Sequence, residues 1–387
     1  MKQLLKNCRL IDSGEVVDIL TDNKTILKIG QNITADAQIY DAQGRYVTPG
    51  FIDLHCHLRD PGYLYKETIL SGTAAALAGG YSVVVCMPNT KPIADNPDVL
   101  KYILNSAASC AVYPTGSITI GEEGKELCDF DELTNAGAVA FTDDGKPVTD
   151  SLLMKRALET GYLIISHPED IYLKTTNSAE DIMIARDLIL AEETGGRLHL
   201  AHVSTRGGVR LIRDAKMRGV NVTCETCPHY FSFTKDNSNA RMNPPLRSQA
   251  DVDAIIEGLQ DGTIDCISTD HAPHAAHEKT GENILNGITG LQTAFAAGVT
   301  NLVMTGKVKL KRLVELITIN PAKILGFDVS IKEGGAANLN VIDIEKAVTI
   351  EESMLKSLSF NTPFLRQTLY GTVDYTLRSE GFWHAKL

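Results

Sequence analysis

His55 and His57 stand two residues apart in the apolar run VTPGFIDLHCHL. In a strand, residues i and i+2 project to the same side, so both imidazoles face one way while Cys56 faces the other. Neutral imidazole is a common zinc ligand, and a pair fixed on one strand supplies two corners of a coordination polyhedron. Alone, the pair suits two hydrogen-bonded histidines at a strand end equally well. His167 closes the run IISH and His202 stands in LAHVS, and recurrence at the ends of successive runs points to a shared centre. Asp270 ends the run in STDHAPH; opposite ligand histidines, its carboxylate would bind a metal and take a proton from a water activated there. FTDDG adds Asp143 and Asp144, which in isolation read as a solvated turn. If two ions lie about 3.5–4 Å apart, something anionic must bridge them, and one of these aspartates would serve. Arg59, just past His57, offers a planar bidentate grip for a substrate carboxylate. Asn89 in MPNTKP, Asn243 in RMNPPLR and His274 bring neutral donors and acceptors to the same mouth.

To converge, these residues need elements that deliver one end of each to a common point. Eight apolar, β-rich runs occur at 47–58, 80–89, 111–118, 136–144, 162–167, 197–204, 220–229 and 264–274. Between them lie stretches with apolar residues at helical spacing and Gly near the C-terminal end. The alternation predicts an α/β protein built as a (β/α)8 TIM barrel, whose active sites form at the C-terminal ends of the strands. His55, His57, His167, His202, His229, His271 and His274 all fall at or just beyond such ends. No G-x-G-x-x-G follows the first strand, which weakens a dinucleotide-binding alternative. Residues 1–46 read as short antiparallel strands, and strand-like text returns after 326. The expected organisation is therefore a catalytic barrel over 47–320 and a small β-sandwich composed of 1–46 and 321–387.

Composition narrows the class further. Lys and Arg total 37 against 48 Asp and Glu, a net charge of −11 that repels nucleic-acid phosphates. No stretch approaches the ~18–20 apolar residues that span a bilayer, and the first residues lack a signal-peptide apolar region. Most of the eight cysteines sit in apolar runs, where a free thiol behaves as a small hydrophobe; this suggests a cytoplasmic protein with no membrane partner. Cys224-x-x-Cys227 lacks the second pair of a zinc knuckle and is expected to be structural.

GFIDLHCHLRDPG, MPNTKP, AFTDDG, HVSTRGGV, MNPPLRSQADVDAIIEGLQDGTIDCISTDHAPH and NTPF follow one another over nearly the whole chain. Together they resemble the class I bacterial dihydroorotases of the amidohydrolase superfamily. The resemblance implies two zinc ions per subunit and reversible cyclisation of N-carbamoyl-L-aspartate to L-dihydroorotate and water, a step of pyrimidine biosynthesis. It implies that His55, His57 and Asp270 hold one zinc and His167 and His202 the other, with Asp144 as the bridge and Asp270 as the catalytic base. Arg59, Asn89 and His274 match residues that hold the substrate's free carboxylate, Asn243 matches one that contacts the ring, and His57 borders the substrate too. Related hydantoinases and allantoinases typically bridge their metals with a carboxylated lysine on the fourth strand; here that run reads Phe-Thr-Asp-Asp, with Lys146 beyond the turn. Asn286-Gly287 stands where relatives often carry Phe-Gly, so Gly287 would offer backbone groups to the ring while Asn286 alters the pocket wall. The segment after His167 is shorter than in relatives, and 274–288, polar and containing Gly281 and Gly287, reads as a flap.

Two other readings stay open at this level. One keeps the chemistry and changes the ring to hydantoin or allantoin. The other is a catalytically silent relative that supports aspartate transcarbamoylase. The resemblance also leaves open a homodimer and an association of the active enzyme with aspartate transcarbamoylase.

Overall fold

The computed structural model describes residues 2–22 and 24–378. The architecture is mixed α/β, with strands β1 (Gln3–Leu10), β2 (Val16–Thr21), β3 (Ile26–Gly30), β4 (Gln38–Asp41), β5 (Tyr46–Pro49), β6 (Phe51–Cys56) and β7 (Tyr81–Cys86). They are followed by β8 (Ala111–Pro114), β9 (Leu163–Ser166), β10 (Arg197–Leu200), β11 (Val222–Thr226), β12 (Cys266–Ile267), β13 (Leu339–Thr349) and β14 (Thr368–Leu377).

Strands β6, β7 and β9 are buried along their whole length, as expected of parallel strands covered on both faces. Two parallel sheets result, ordered β6-β7-β8 and β12-β11-β10-β9. Parallel bridges join them at both edges: Phe141 pairs with Gly116 and Ile164, and Cys56 pairs with His271. The run 136–144 forms no extended strand. Phe141 donates to Leu163 O and accepts from Ile165 N, but two residues later the Asp143 carboxylate takes the Ile118 and Thr119 N–H groups, so a side chain replaces the ladder. Helices such as Asn177–Thr194, capped by Thr176 and closed by left-handed Gly195, lie between strands and enclose the main core.

The run 47–58 divides at Gly50. A Cβ there would lie 2.3 Å from Ser82 Oγ, so only glycine lets β5 pass into β6 against this neighbour. β5 joins the terminal sheet, ordered β14-β13-β5-β1-β2-β3 with β4 added on β1, so both ends of the chain share one sheet. The N-terminal strands are less uniform than their sequence suggests. β1-β2 and β2-β3 are antiparallel, whereas β4 and β5 both run parallel to β1, along Gln3–Lys6 and Arg9–Leu10. Between those halves β1 carries a register shift with Asn7 at φ 56°, which bends the strand and lets it serve two neighbours. The last nine residues assigned to this region, 379–387, lie outside the described residues. All eight cysteines are buried and free, and no helix among the described residues is long and apolar enough to cross a membrane.

Candidate metal centre

His55 lies in β6 and His57 one residue beyond it; His167 follows β9, His202 follows β10, and Asp270 follows β12. The turn 142–144 adds Asp144. All six are nearly buried, and their polar atoms converge. His55 Nε2 lies 3.4 Å from His167 Nε2, 3.7 Å from Asp144 Oδ2 and 3.6 Å from Asp270 Oδ1. His57 Nε2 lies 3.3 Å from both Asp144 Oδ2 and Asp270 Oδ1, and His167 Nε2 is 3.6 Å from Asp144 Oδ2. Ligands held about 2.0–2.2 Å from one tetrahedral ion are themselves about 3.3–3.6 Å apart. Two ligand groups emerge, His55/His57/Asp270 and His55/Asp144/His167.

The outer nitrogens explain the orientation of three rings. His55 Nδ1 meets Glu225 Oε1 at 2.8 Å, His57 Nδ1 meets Asn89 Oδ1 at 3.0 Å, and His167 Nδ1 meets Thr142 Oγ1 at 2.9 Å. Each Nε2 is thereby turned to the centre. Asp144 Oδ2 and His202 Nδ1 are buried without a hydrogen-bond partner among the described residues. Such orphans cost about 1–3 kcal/mol each unless something else satisfies them. A metal ion would do so, and the N/O donor set suits zinc.

Electrostatics agree. Burial pushes His167 down to about 4 and His202 to about 3, leaving neutral imidazoles. Burial also works against the carboxylates, yet the neighbouring histidines hold Asp270 down at about 2 and Asp144 well below the usual carboxylate range. At His55, Asp144 and Glu225 outweigh burial and raise the pKa well above its ordinary value, so the surroundings favour positive charge at this point. Arg59, His202 and Asp270 also sit at φ 60°, 38° and 45°, left-handed backbone that non-glycine residues hold only when packing imposes it.

One cavity of about 440 Å³ is lined by all six of these residues and by Arg59, Asn89, Asn243, His274, Asn286 and Gly287. The structure therefore gathers the whole sequence-derived set. Of the tandem aspartates only Asp144 faces it, because Asp143 is saturated by Ser117 Oγ, Thr119 Oγ1 and two backbone N–H groups. Arg59 is anchored through Nε on Pro273 O. His274 Nε2–H donates to Asn286 O, and burial with Arg59 and Lys66 nearby pushes its pKa down to about 4. The N–H of Gly287 donates to Arg241 O, and its carbonyl accepts from Lys279 and Asn361. Gly287 thus shapes the wall by lacking a side chain: a Cβ would lie 2.7 Å from Ala272 O. Within 274–288, Glu278 meets Lys66 and Tyr65, and Lys279 reaches three carbonyls. His229 and His271 stay outside the cavity, His271 beside Glu67.

Sequence reasoning missed Glu225, Thr142 and Asp53. Asp53 accepts from Thr269 N and Oγ1 and so fixes the residue before Asp270. The available signal was an ionisable side chain in a strand with no exposed face, FIDLHC for Asp53 and VTCET for Glu225.

Residues 44–170 match the family described as dihydro-orotase-like. A dihydroorotase of Ruminiclostridium cellulolyticum is 46% identical over 97% of this chain and 97% of its own. One from Trichlorobacter lovleyi is 45% identical over 97% and 98%. Among solved structures, the L-hydantoinase (dihydropyrimidinase) of Arthrobacter aurescens superposes with a TM-score of 0.89 at 25% identity, over 97% of this chain and 94% of its own. A dihydropyrimidinase from Brevibacillus agri gives a TM-score of 0.86 at 23% identity, over 98% and 94%, which speaks for the fold alone.

Proposed function

The chain belongs to the dihydroorotase family, and on that premise we propose that its histidine–aspartate cluster holds two zinc ions, bridged by Asp144, for the ring chemistry of that family. The protein is a cyclic amidohydrolase acting on a small molecule, and its function is that of a dihydroorotase: reversible closure of N-carbamoyl-L-aspartate to L-dihydroorotate. The observation that carries the metal reading is Asp144 Oδ2, unpartnered and 3.3–3.7 Å from the Nε2 atoms of three histidines.

In this reading His55, His57 and Asp270 serve one ion, His167 and His202 the other. Zinc bound there would polarise a carbonyl and lower the pKa of water from 15.7 toward about 7. Asp270, held ionised, accepts a proton from the attacking water and delivers it to the leaving ring nitrogen; for ring closure it takes the proton from the carbamoyl nitrogen. Arg59 grips the free carboxylate, and Asn89, Asn243 and His274 complete the pocket around it. Asn89 has a double duty, since its Oδ1 already orients His57.

The reading also takes the two parallel sheets and the bridges at both edges as a closed (β/α)8 barrel over 47–320, with 1–46 and 321–387 as a composite sandwich. The free, buried cysteines support a cytoplasmic setting. Metal analysis combined with turnover of dihydroorotate, hydantoin and allantoin tests the assignment. About two zinc per chain and preferred turnover of dihydroorotate are expected. Metal-free protein without turnover, or preference for an uncarboxylated ring, would overturn it.

A further inference from the structure

His55 is the one residue shared by both ligand groups, so whatever fixes its ring sets the geometry at the middle of the cluster. Its partner is unlike those of His57 and His167, which lean on the neutral Asn89 and Thr142. Glu225, fully buried on β11, presents Oε1 to His55 Nδ1 at 2.8 Å. A carboxylate oxygen accepts, so Nδ1 carries a proton and Nε2, which faces the centre, is the nitrogen left to coordinate. The other oxygen is occupied as well. Ser268 Oγ donates to Oε2, His199 Nε2 lies 3.3 Å from it, and His199 Nδ1 meets Thr223 Oγ1 at 2.8 Å. The carboxylate is therefore clamped from the side away from the metals and cannot rotate without losing Ser268.

From this geometry we infer that Glu225 is a positioning residue that fixes the tautomer and orientation of His55, and through it the affinity of the metal position that His55 serves. The inference rests on the metal reading above. A charged acceptor on the outer nitrogen strengthens the hydrogen bond and makes the coordinating nitrogen more basic, which neutral Asn89 and Thr142 do less well for their rings. The same trio, His199, Glu225 and Cys266, has donor atoms close enough to hold an ion of its own. Both Glu225 oxygens are already engaged by His55 and Ser268, so Glu225 acts as a support beneath the centre.

The test is zinc competition against a chelator for the wild type, Glu225→Gln and Ser268→Ala, with circular dichroism and thermal unfolding of each metal-free protein. Cobalt-substituted absorption spectra report the ligand field independently of turnover. The wild type should bind two ions, and folded Glu225→Gln should bind the ion at the His55 position about 10–100-fold more weakly, with an altered cobalt spectrum. Ser268→Ala, which only loosens the clamp, should weaken zinc by about 3–10-fold. Zinc affinity and cobalt spectrum of folded Glu225→Gln matching the wild type would overturn the inference while leaving the metal reading intact. If Glu225→Gln does not fold, unchanged affinity in Ser268→Ala overturns it. A third zinc per chain, lost in Cys266→Ser, would assign the trio to its own ion and overturn it too. Wild-type protein that binds no zinc brings down both readings.

Discussion

Glu180 and Arg247 are as deeply buried as the residues of the metal centre, yet the two clusters are built on opposite terms. Around Glu180, Oε1 accepts from the N–H groups of Ser204 and Thr205 at 2.8 and 3.0 Å, and Oε2 accepts from Ser204 Oγ and faces Arg247 Nη2 at 3.3 Å. Arg247 also donates through Nε to Ser204 Oγ and through Nη1 to Thr175 O. Charge meets opposite charge, and each donor finds an acceptor. At the candidate metal centre two Nε2 atoms instead stand 3.4 Å apart, and a carboxylate oxygen points at three rings without a hydrogen-bond partner among the described residues. A saturated cluster is finished and holds the fold. A cluster whose potential ligand atoms converge on one point is suited to a cation, and that separates a candidate ligand site from a structural ion pair better than burial or charge count.

The two clusters should differ most in the consequence of a substitution at Asp270. Asp270→Asn keeps the shape and removes both the proposed base and a proposed ligand, so kcat on dihydroorotate should fall by at least about 10²–10⁴-fold with the fold retained, read by steady-state kinetics and circular dichroism. Activity within tenfold of wild type would mean that the converging cluster is not the reaction centre. Arg247→Met attacks the saturated cluster instead. It leaves Glu180 buried and unpaired, and denaturant unfolding should show a loss of about 3–5 kcal/mol, while kcat of the remaining folded protein changes far less. The double variant Glu180→Gln with Arg247→Met should recover part of that stability, because no lone charge stays buried. If kcat instead collapses in step with Asp270→Asn, the division between the two clusters fails.

Much of the centre was legible because its candidate ligands obey strand geometry. His55 and His57 share a face by the period of two, and His167, His202 and Asp270 recur at equivalent strand ends. What sequence could not show was pairing across the molecule. Glu225 lies 170 residues from the histidine it orients, and nothing within VTCET says which side chain stands opposite. Asp143 and Asp144 are indistinguishable by type; Thr119 and Ile118, brought beside Asp143 by the fold, separate them, whereas sequence reasoning reached Asp144 only through family likeness. The division of one apolar run at Gly50 was hidden for the same reason, since Ser82 supplies the steric demand from the next strand. Local periodicity is written in the chain, but occupancy of each hydrogen-bonding atom is a property of distant neighbours.

Within the cavity itself smaller effects are expected. Arg59→Met should lower kcat/KM for dihydroorotate by about 30–300-fold, since the charge partner proposed for the carboxylate is gone, and should spare uncarboxylated rings. Equal losses on both kinds of ring would remove Arg59 from substrate recognition. At the neighbouring wall, Gly287→Ala forces a Cβ against Ala272 O from φ 132°, a strain of about 1–3 kcal/mol that should appear as a lower thermal midpoint and a raised KM.

Asn286 beside it should matter least, although it departs most plainly from the Phe that relatives often carry. Its side chain is exposed, and what it gives the site is a backbone carbonyl, which accepts the 2.7 Å hydrogen bond from His274 Nε2. Any residue supplies that atom. Asn286→Ala should therefore change kcat/KM and stability by less than about 0.5 kcal/mol, roughly twofold. A larger loss would show that the side chain contacts the substrate. A twofold result beside a measurable defect in Gly287→Ala would mean that this wall, like the saturated cluster around Glu180, works through backbone placement, and that recognition is concentrated on Arg59 and the converging ligands.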